Sequence, residues 1–502
     1  MIYKRILILL ASISLPGSGF SQGPQPVSDG EDERISVLDQ VVPVADEPPA
    51  SETAADSDAE RVGPPTEDAE TSGLTEREIL ALEFGRFQRL KANGMLDEAE
   101  NAAKRAIEMS INISGPGSND TAKALNNLAT VQYSQKKYEL AQQNFQAAID
   151  IFTDNEDKLS ARLINPMKGL GAAQLEGGRP DLAARTFRQA THITHVNEGP
   201  HNLDQISILE ALAETNLRLG EFEQARNAQD MIYALNLRHL DDDPMSLIAP
   251  LQRRAAWQRR TGYVLDERAT YRRMIRIIEE AKGKDDISLI NPITRLAESY
   301  FYTDISEPNA FQEASIANGE IYFKRAVRIA EENPESSWEI LANSLVALGD
   351  YYNFRSDQGR ARRTYSEVWD LLSADEERIA MRSETLGKLH ALNAEPIPSY
   401  RDDTTREDGS NLDRDLREGS IVIAYDVSSR GRVTKVEVIE NIPAEFDDMA
   451  KKVVREVRRR VYRPPFVDGE PAESPNQVMT HKYFFNQLEL DKVRASLEDE
   501  QD

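Results

Sequence analysis

The chain repeats itself at a step that leaves little choice of architecture. Ala99, Ala141, Ala183, Ala225 and Glu267 stand 42 residues apart, and after one insertion Gly319 and Ala361 are again separated by 42. Each position opens a short apolar ladder. Ala141, Phe145 and Ala148 have an i, i+4, i+7 spacing, as do Ala183, Phe187 and Ala190, then Ala361, Tyr365 and Val368; that spacing lines one face of a helix. A first helix precedes each ladder, marked by Leu125, Leu128 and Ala129, by Met167, Leu170 and Gly171, and by Leu345, Leu348 and Gly349. The small residues let two helix axes approach while the aromatic fills the space between them. Five residues before the ladder stand Gly94, Gly178, Gly220 and Gly262, where glycine takes a left-handed turn with least strain. A unit of this length cannot bury its apolar face alone and must stack on its neighbours. The pattern predicts a mainly α-helical solenoid that holds a partner rather than transforms a substrate.

These residues resemble the tetratricopeptide repeat, whose pattern has Leu and a small residue on the first helix, Gly at the turn, and Ala, Phe and Ala on the second. The step of 42, against about 34 in the common form, is similar to the kinesin-light-chain type. So is the segment Gly115-Pro116-Gly117-Ser118-Asn119-Asp120-Thr121-Ala122 ahead of Ala124-Leu125-Asn126-Asn127-Leu128-Ala129. The fifth repeat is degenerate at Glu267 but keeps Tyr271 and Met274, and the sixth carries an insertion around Ser306-Glu307-Pro308-Asn309. The resemblance runs from Thr75 to Ala394 and implies an α-α superhelical solenoid of about seven helix pairs over residues 76–394. It implies protein or peptide partners, bound on the concave face of the first helices, where Asn126, Asn127, Gln132 and Asn216 are the polar candidates.

Charge and composition narrow the chemistry. A formal net charge of −26 argues against a general nucleic-acid binder and disfavours anionic membrane surfaces, both of which need a basic footprint. The absence of cysteine removes disulfides, thiolate zinc sites and thiol catalysis together. His192 and His195, with His201 nearby, are the one cluster that looks like metal ligands, yet a zinc site needs a fourth partner and a second shell; they read as surface and groove imidazoles. Gly169, Gly171, Gly177 and Gly178 lack the lysine of a phosphate-binding loop and belong to helix packing and a turn. Acid pairs are background in so acidic a chain, so no general acid and base can be named. No enzyme, metal or cofactor is expected.

The amino terminus reads as an address. Lys4 and Arg5 precede an apolar run, Ile6 to Leu15, followed by small residues up to a cleavage point after Ser21, which makes residues 1–21 a signal peptide. The run is short of the roughly 20 apolar residues of a membrane span; the alternative is an uncleaved anchor in the inner membrane, the one route to membrane contact. Residues 22–75 are acidic and rich in Pro, Ser, Ala and Gly, a composition that buries too little apolar surface to fold and suits a flexible leader.

After Pro396-Ile397-Pro398 the pattern changes. An acidic linker, residues 395–419, leads into Ile421–Val427, then Ser428-Ser429-Arg430-Gly431-Arg432, then Val433–Glu440, two β-rich runs about a glycine turn. From Glu445 to Arg460 the period is helical, with Phe446, Met449, Ala450, Val453, Val454 and Val457 on one face and Lys451, Lys452, Arg455, Arg458 and Arg459 largely on the other. Gln477–Phe485 is a third strand, so that residues 420–488 form a small α+β domain of order β-β-α-β, followed by an acidic tail, 489–502. The series Val422, Tyr425, Val427, Gly431, Val433, Val436, Val438, Arg459-Arg460-Val461-Tyr462-Arg463-Pro464, Gly469, Pro471, Val478 and Phe484-Phe485 resembles the carboxy-terminal domain of the TonB family. That resemblance implies a periplasmic domain that grips outer-membrane proteins, often by pairing its exposed strand with a receptor peptide. Gln477, Met479, Thr480, Lys482 and Phe484 are then the candidate contacts. Pro398-Ser399-Tyr400-Arg401 stands where the family often has a Tyr-Pro pair, so no contact is carried over there. The expectation is a periplasmic adaptor joining one partner on the solenoid to an outer-membrane receptor or transport component. The alternatives are a membrane-anchored energy transducer of the TonB type and a self-assembling structural protein of the envelope.

Overall fold

A computed structural model describes residues 74–240, 243–301, 319–392, 417–485 and 487–499. The expected signal peptide, the leader before Leu74, the insertion around Ser306 and the linker before Arg417 lie outside the described residues. The described residues fall into two compact units that divide between Asp266 and Glu267.

In the first unit the described helices are α1 (Glu76–Ala92), α2 (Leu96–Ser114), α3 (Asn119–Ser134), α4 (Tyr138–Asn155), α5 (Ile164–Glu176), α6 (Pro180–Glu198), α7 (Gln205–Arg218), α8 (Phe222–Leu240) and α9 (Ile248–Arg260), with α10 (Val264–Lys282) spanning the division. From α1 to α8 each helix packs on the next in sequence. Their starts recur with the repeat. Ser118 caps α3 by accepting from the Thr121 N–H, and one and two repeats on Ser160 and Asn202 accept from the N–H groups of Arg162 and Asp204 in the turns that lead into α5 and α7. Their ends recur too. Asn155, Asn197 and His239 each reach back from the second helix to the carbonyl of Gly117, Leu159 and His201 at 2.7, 2.7 and 2.5 Å.

Ala99, Ala141, Ala183 and Ala225 are fully buried, and Ala141 and Ala183 share one core with Phe145 and Phe187. A Cβ placed on Gly171 would lie 2.6–2.9 Å from the Phe187 ring. Absence of that atom is what lets α5 and α6 close on each other.

The second unit continues with α11 (Ile290–Glu298), α12 (Glu320–Glu332), α13 (Trp338–Phe354), α14 (Gln358–Leu371) and α15 (Glu376–Thr385). Here Gly349 receives the Tyr365 ring as Gly171 receives Phe187. Beyond these helices β1 (His390–Ala391), β2 (Arg417–Val427), β3 (Val433–Ile442), α16 (Asp447–Arg459), β4 (Tyr462–Arg463), β5 (Phe466–Val467), β6 (Glu470–Pro471), β7 (Ser474–Phe485) and α17 (Gln487–Asp499) build the α+β domain. Its main sheet has the order β3-β2-β7, all antiparallel. Ile421, Ile423, Tyr425 and Val427 alternate inward on β2 and meet Ala450, Val453 and Val457 of α16 in one core, as the period-2 and period-3.6 patterns require.

Two boundaries differ from the sequence expectation. His390–Ala391, expected to end the solenoid, pairs with β4 of the second module. The expected acidic tail is mostly α17: Leu490 is buried in the core of the domain and Arg494 pairs with Glu445 at 2.8 Å. Leu490 and Val493, two inward residues among charges, carry too weak a periodicity to announce a helix.

Candidate functional site

The first-helix polar residues do not face outward. Asn126, Asn127, Gln132 and Asn216 are each exposed to 4% or less, which corrects their reading as a polar binding surface. Gln132 belongs to a series, Gln132, Gln174, Asn216 and Gln258, that recurs every 42 residues and is buried throughout. Gln132 Oε1 accepts from Asn144 Nδ2 at 2.7 Å and Gln174 Oε1 from Thr186 Oγ1 at 2.8 Å, each donor lying on the second helix of the same repeat. The backbone carbonyls of Gln132, Gln174 and Asn216 close the turn by accepting from the N–H five residues on, at 2.8 Å each. The Gln132 and Gln174 amides tie helix to helix. Of the three histidines, His195 is likewise engaged, its Nε2 with Gln205 Oε1 at 2.6 Å, and His192 is exposed. Among the described residues no group of three or more acidic or histidine side chains is placed to hold a metal.

The strand candidates are differently placed. Among the described residues β7 has one neighbour, β2, so its other edge is open. Thr480 lies opposite Val422, Lys482 opposite Ser420, and Phe484 opposite Glu418. Thr480 and Lys482 are exposed and Val478 between Gln477 and Met479 is 63% exposed, whereas Gln477 and Met479 are half-buried. Lys482 Nζ pairs with Glu418 across the strands at 2.8 Å, and Met479 Sδ accepts from Arg460 Nη1 at 3.2 Å. The basic face of α16 is present, with Lys451, Lys452, Arg455 and Arg458 exposed.

A third group went unnoticed in the sequence. The α+β domain is clasped to the last helix pair rather than left on a tether. Arg463 Nη1 meets Asp350 Oδ2 at 2.9 Å in a nearly dry setting, and Tyr365 donates to the other oxygen of that carboxylate at 2.7 Å. Burial raises the Asp350 carboxyl and Arg463 opposes that rise. Phe466 enters the core of α13 and α14, its ring 5.3 Å from that of Tyr365. Arg432 reaches the carbonyls of Asn353 and Phe354 and the hydroxyl of Ser356. Asn353 Nδ2 donates to the Tyr462 carbonyl at 2.7 Å, and the Phe466 N–H to that of Leu386. The signal available was small: the last ladder has a tyrosine where the second and third have phenylalanine.

Residues 90–154 match the tetratricopeptide repeat family, within the α1–α4 segment just described. The chain thus carries tetratricopeptide repeats in a helical solenoid, a fold whose use is protein–protein interaction, with a small sheet-bearing region after it. Among solved structures, two are of Podosopora anserina putative kinesin light chain nearly identical TPR-like repeats. One has 13% identity and a TM-score of 0.37, covering 42% of this chain and 99% of that one; the other has 14% identity and 0.34, covering 45% and 100%. Aspartyl phosphate phosphatase F from Bacillus subtilis has 14% identity and a TM-score of 0.35, covering 61% and 74%. Values of this size carry no inference about partners. No curated protein matches the chain.

Proposed function

We propose that the protein is a non-catalytic adaptor of the periplasm, in which the repeats recruit one protein partner and the TonB-like domain binds an outer-membrane receptor or transport component by strand addition at β7. One observation carries this reading: a strand of 12 residues, paired on one side only among the described residues, with Val478, Thr480 and Lys482 exposed along it. An open edge offers a row of backbone donors and acceptors that an extended peptide completes, while alternate side chains select its sequence. The acidic chain and the clasp support the reading further, since the edge is held firmly to its solenoid unit. The apolar run Ile6–Leu15 serves as the export signal.

The test uses the full chain in a bacterial envelope with a photo-crosslinker at Val478. An adduct with an outer-membrane protein is expected. Proline at Met479 or Thr480, neighbours of which one directs its N–H away from β2, abolishes the adduct while helicity is kept. Wild-type crosslinking by both proline variants refutes strand addition, and an intact Met1 in the inner membrane refutes the cleaved periplasmic form.

A further inference from the structure

In the first unit a cavity of about 410 Å³ opens where the start of α5, the end of α6 and the start of α7 meet. Its polar wall is made by Asn165 and Lys168, Thr194 and Glu198, and Asp204 and Ser207. Three of these are committed. Thr194 Oγ1 donates to the Ala190 carbonyl at 2.9 Å, Ser207 Oγ to the Asp204 carbonyl at 3.4 Å, and Glu198 Oε2 accepts from Asn202 Nδ2 at 2.8 Å. The Lys168 ammonium and the Asp204 carboxylate meet across the cavity only at long range; neither makes a side-chain hydrogen bond or close ion pair with another described residue.

The charges are incompletely compensated. Burial pushes the Lys168 ammonium down from its usual range while Asp204 and Glu198 hold it partly up, and burial together with Asp204 raises the Glu198 carboxyl. A purely cationic ligand here would face Lys168, and a purely anionic one would face two carboxylates. A group that carries both charges a few bonds apart answers all three side chains at once. The volume falls in the range of about 300–1,000 Å³ typical of small-molecule sites.

We propose that this cavity binds a zwitterionic small molecule of the α-amino-acid class, its ammonium set toward Asp204 and Glu198 and its carboxylate toward Lys168. Asn165 supplies an amide that can serve either end. The site involves neither β7 nor the compartment, so it stands or falls separately from the adaptor reading.

The experiment is ligand-observed NMR and calorimetry on the full chain. The probes are glycine, L-alanine and L-glutamine, with acetate and methylammonium as single-charge controls. Saturable binding of an amino acid is expected, with both controls at least about tenfold weaker. Lys168→Met and Asp204→Asn each weaken binding about tenfold or more while circular dichroism stays native; Asn165→Ala, a neutral change, gives a smaller loss and serves if either charge variant misfolds. No saturation by any amino acid up to about 10 mM, equal binding of methylammonium or acetate, or undiminished affinity in all three variants overturns the proposal.

Discussion

Lys136 and Ser356 occupy the turn position that glycine fills at Gly94, Gly178, Gly220 and Gly262, and all six have φ between 61 and 79°. The glycines were legible because their spacing repeats; Lys136 and Ser356 were not, since nothing in their chemistry favours that conformation. They are held there by the turn's hydrogen bonds, such as Lys137 N–H to the Gln132 carbonyl at 2.8 Å. A non-glycine residue in this region costs about 1 kcal/mol, offset in part by the greater freedom that glycine brings to the unfolded chain. Lys136→Gly is therefore expected to slow amide exchange in α3 and α4 by up to about fivefold, and Gly178→Ala to speed it in α5 and α6 by a similar factor. The buried Gln132 and Asn216 teach the complementary point. Polarity suggested a binding surface, but on a helix whose axis is drawn in by small residues a polar side chain at the crossing is enclosed, and Gln132 is satisfied there by Asn144 of the partner helix.

At the scale of elements, helix pairs were readable because a face of small and aromatic residues has a period that only a packed helix explains. The α5–α6 crossing offers a test of sign. Alanine normally stabilises a helix over glycine by about 1 kcal/mol, yet at Gly171 the added Cβ would sit 2.6–2.9 Å from the Phe187 ring, an overpacking that costs about 1–3 kcal/mol. Gly171→Ala should lower the urea midpoint of the first unit, and a higher midpoint would show that the ring moves aside without strain. In the C-terminal domain β2, β3 and α16 were readable from alternation and amphipathicity. Strands β1, β4, β5 and β6, of two residues each, were not: so short a segment has no period, and its pairing is settled by what it lies beside.

For the whole molecule, the clasp changes how the second module works. The end of a stacked array exposes an apolar face that must be covered, and in the second unit Phe466 and β4 cover that of α13 and α14. His390, half-buried on β1 opposite Arg463, lies in this clasp, and burial, aided by Arg463, pushes its imidazole down to about 3. Below the ordinary histidine pKa near 6.5 the unfolded chain then binds a proton that the folded chain refuses. The contribution is fully present above about pH 6.5 and falls as pH drops toward 3, by at most about 1.4 kcal/mol per unit and by less for a side chain that keeps some exposure. His390→Leu should flatten the loss of melting temperature of the second unit between pH 7 and 5; an unchanged slope would assign acid sensitivity to other groups. By itself the sequence determined the repeated helix pairs, the turns between them and the strand–strand–helix–strand order of the last module, because each is a local periodicity that one solvent-shielded face enforces. Only the tertiary structure decided which polar residues are enclosed, which strand edge stays open, where Lys168 and Asp204 face each other, and that Arg463, Asp350, Tyr365 and Phe466 join two modules. Those outcomes depend on side chains far apart in the chain, on the dryness of the space between them, and on no spacing along it.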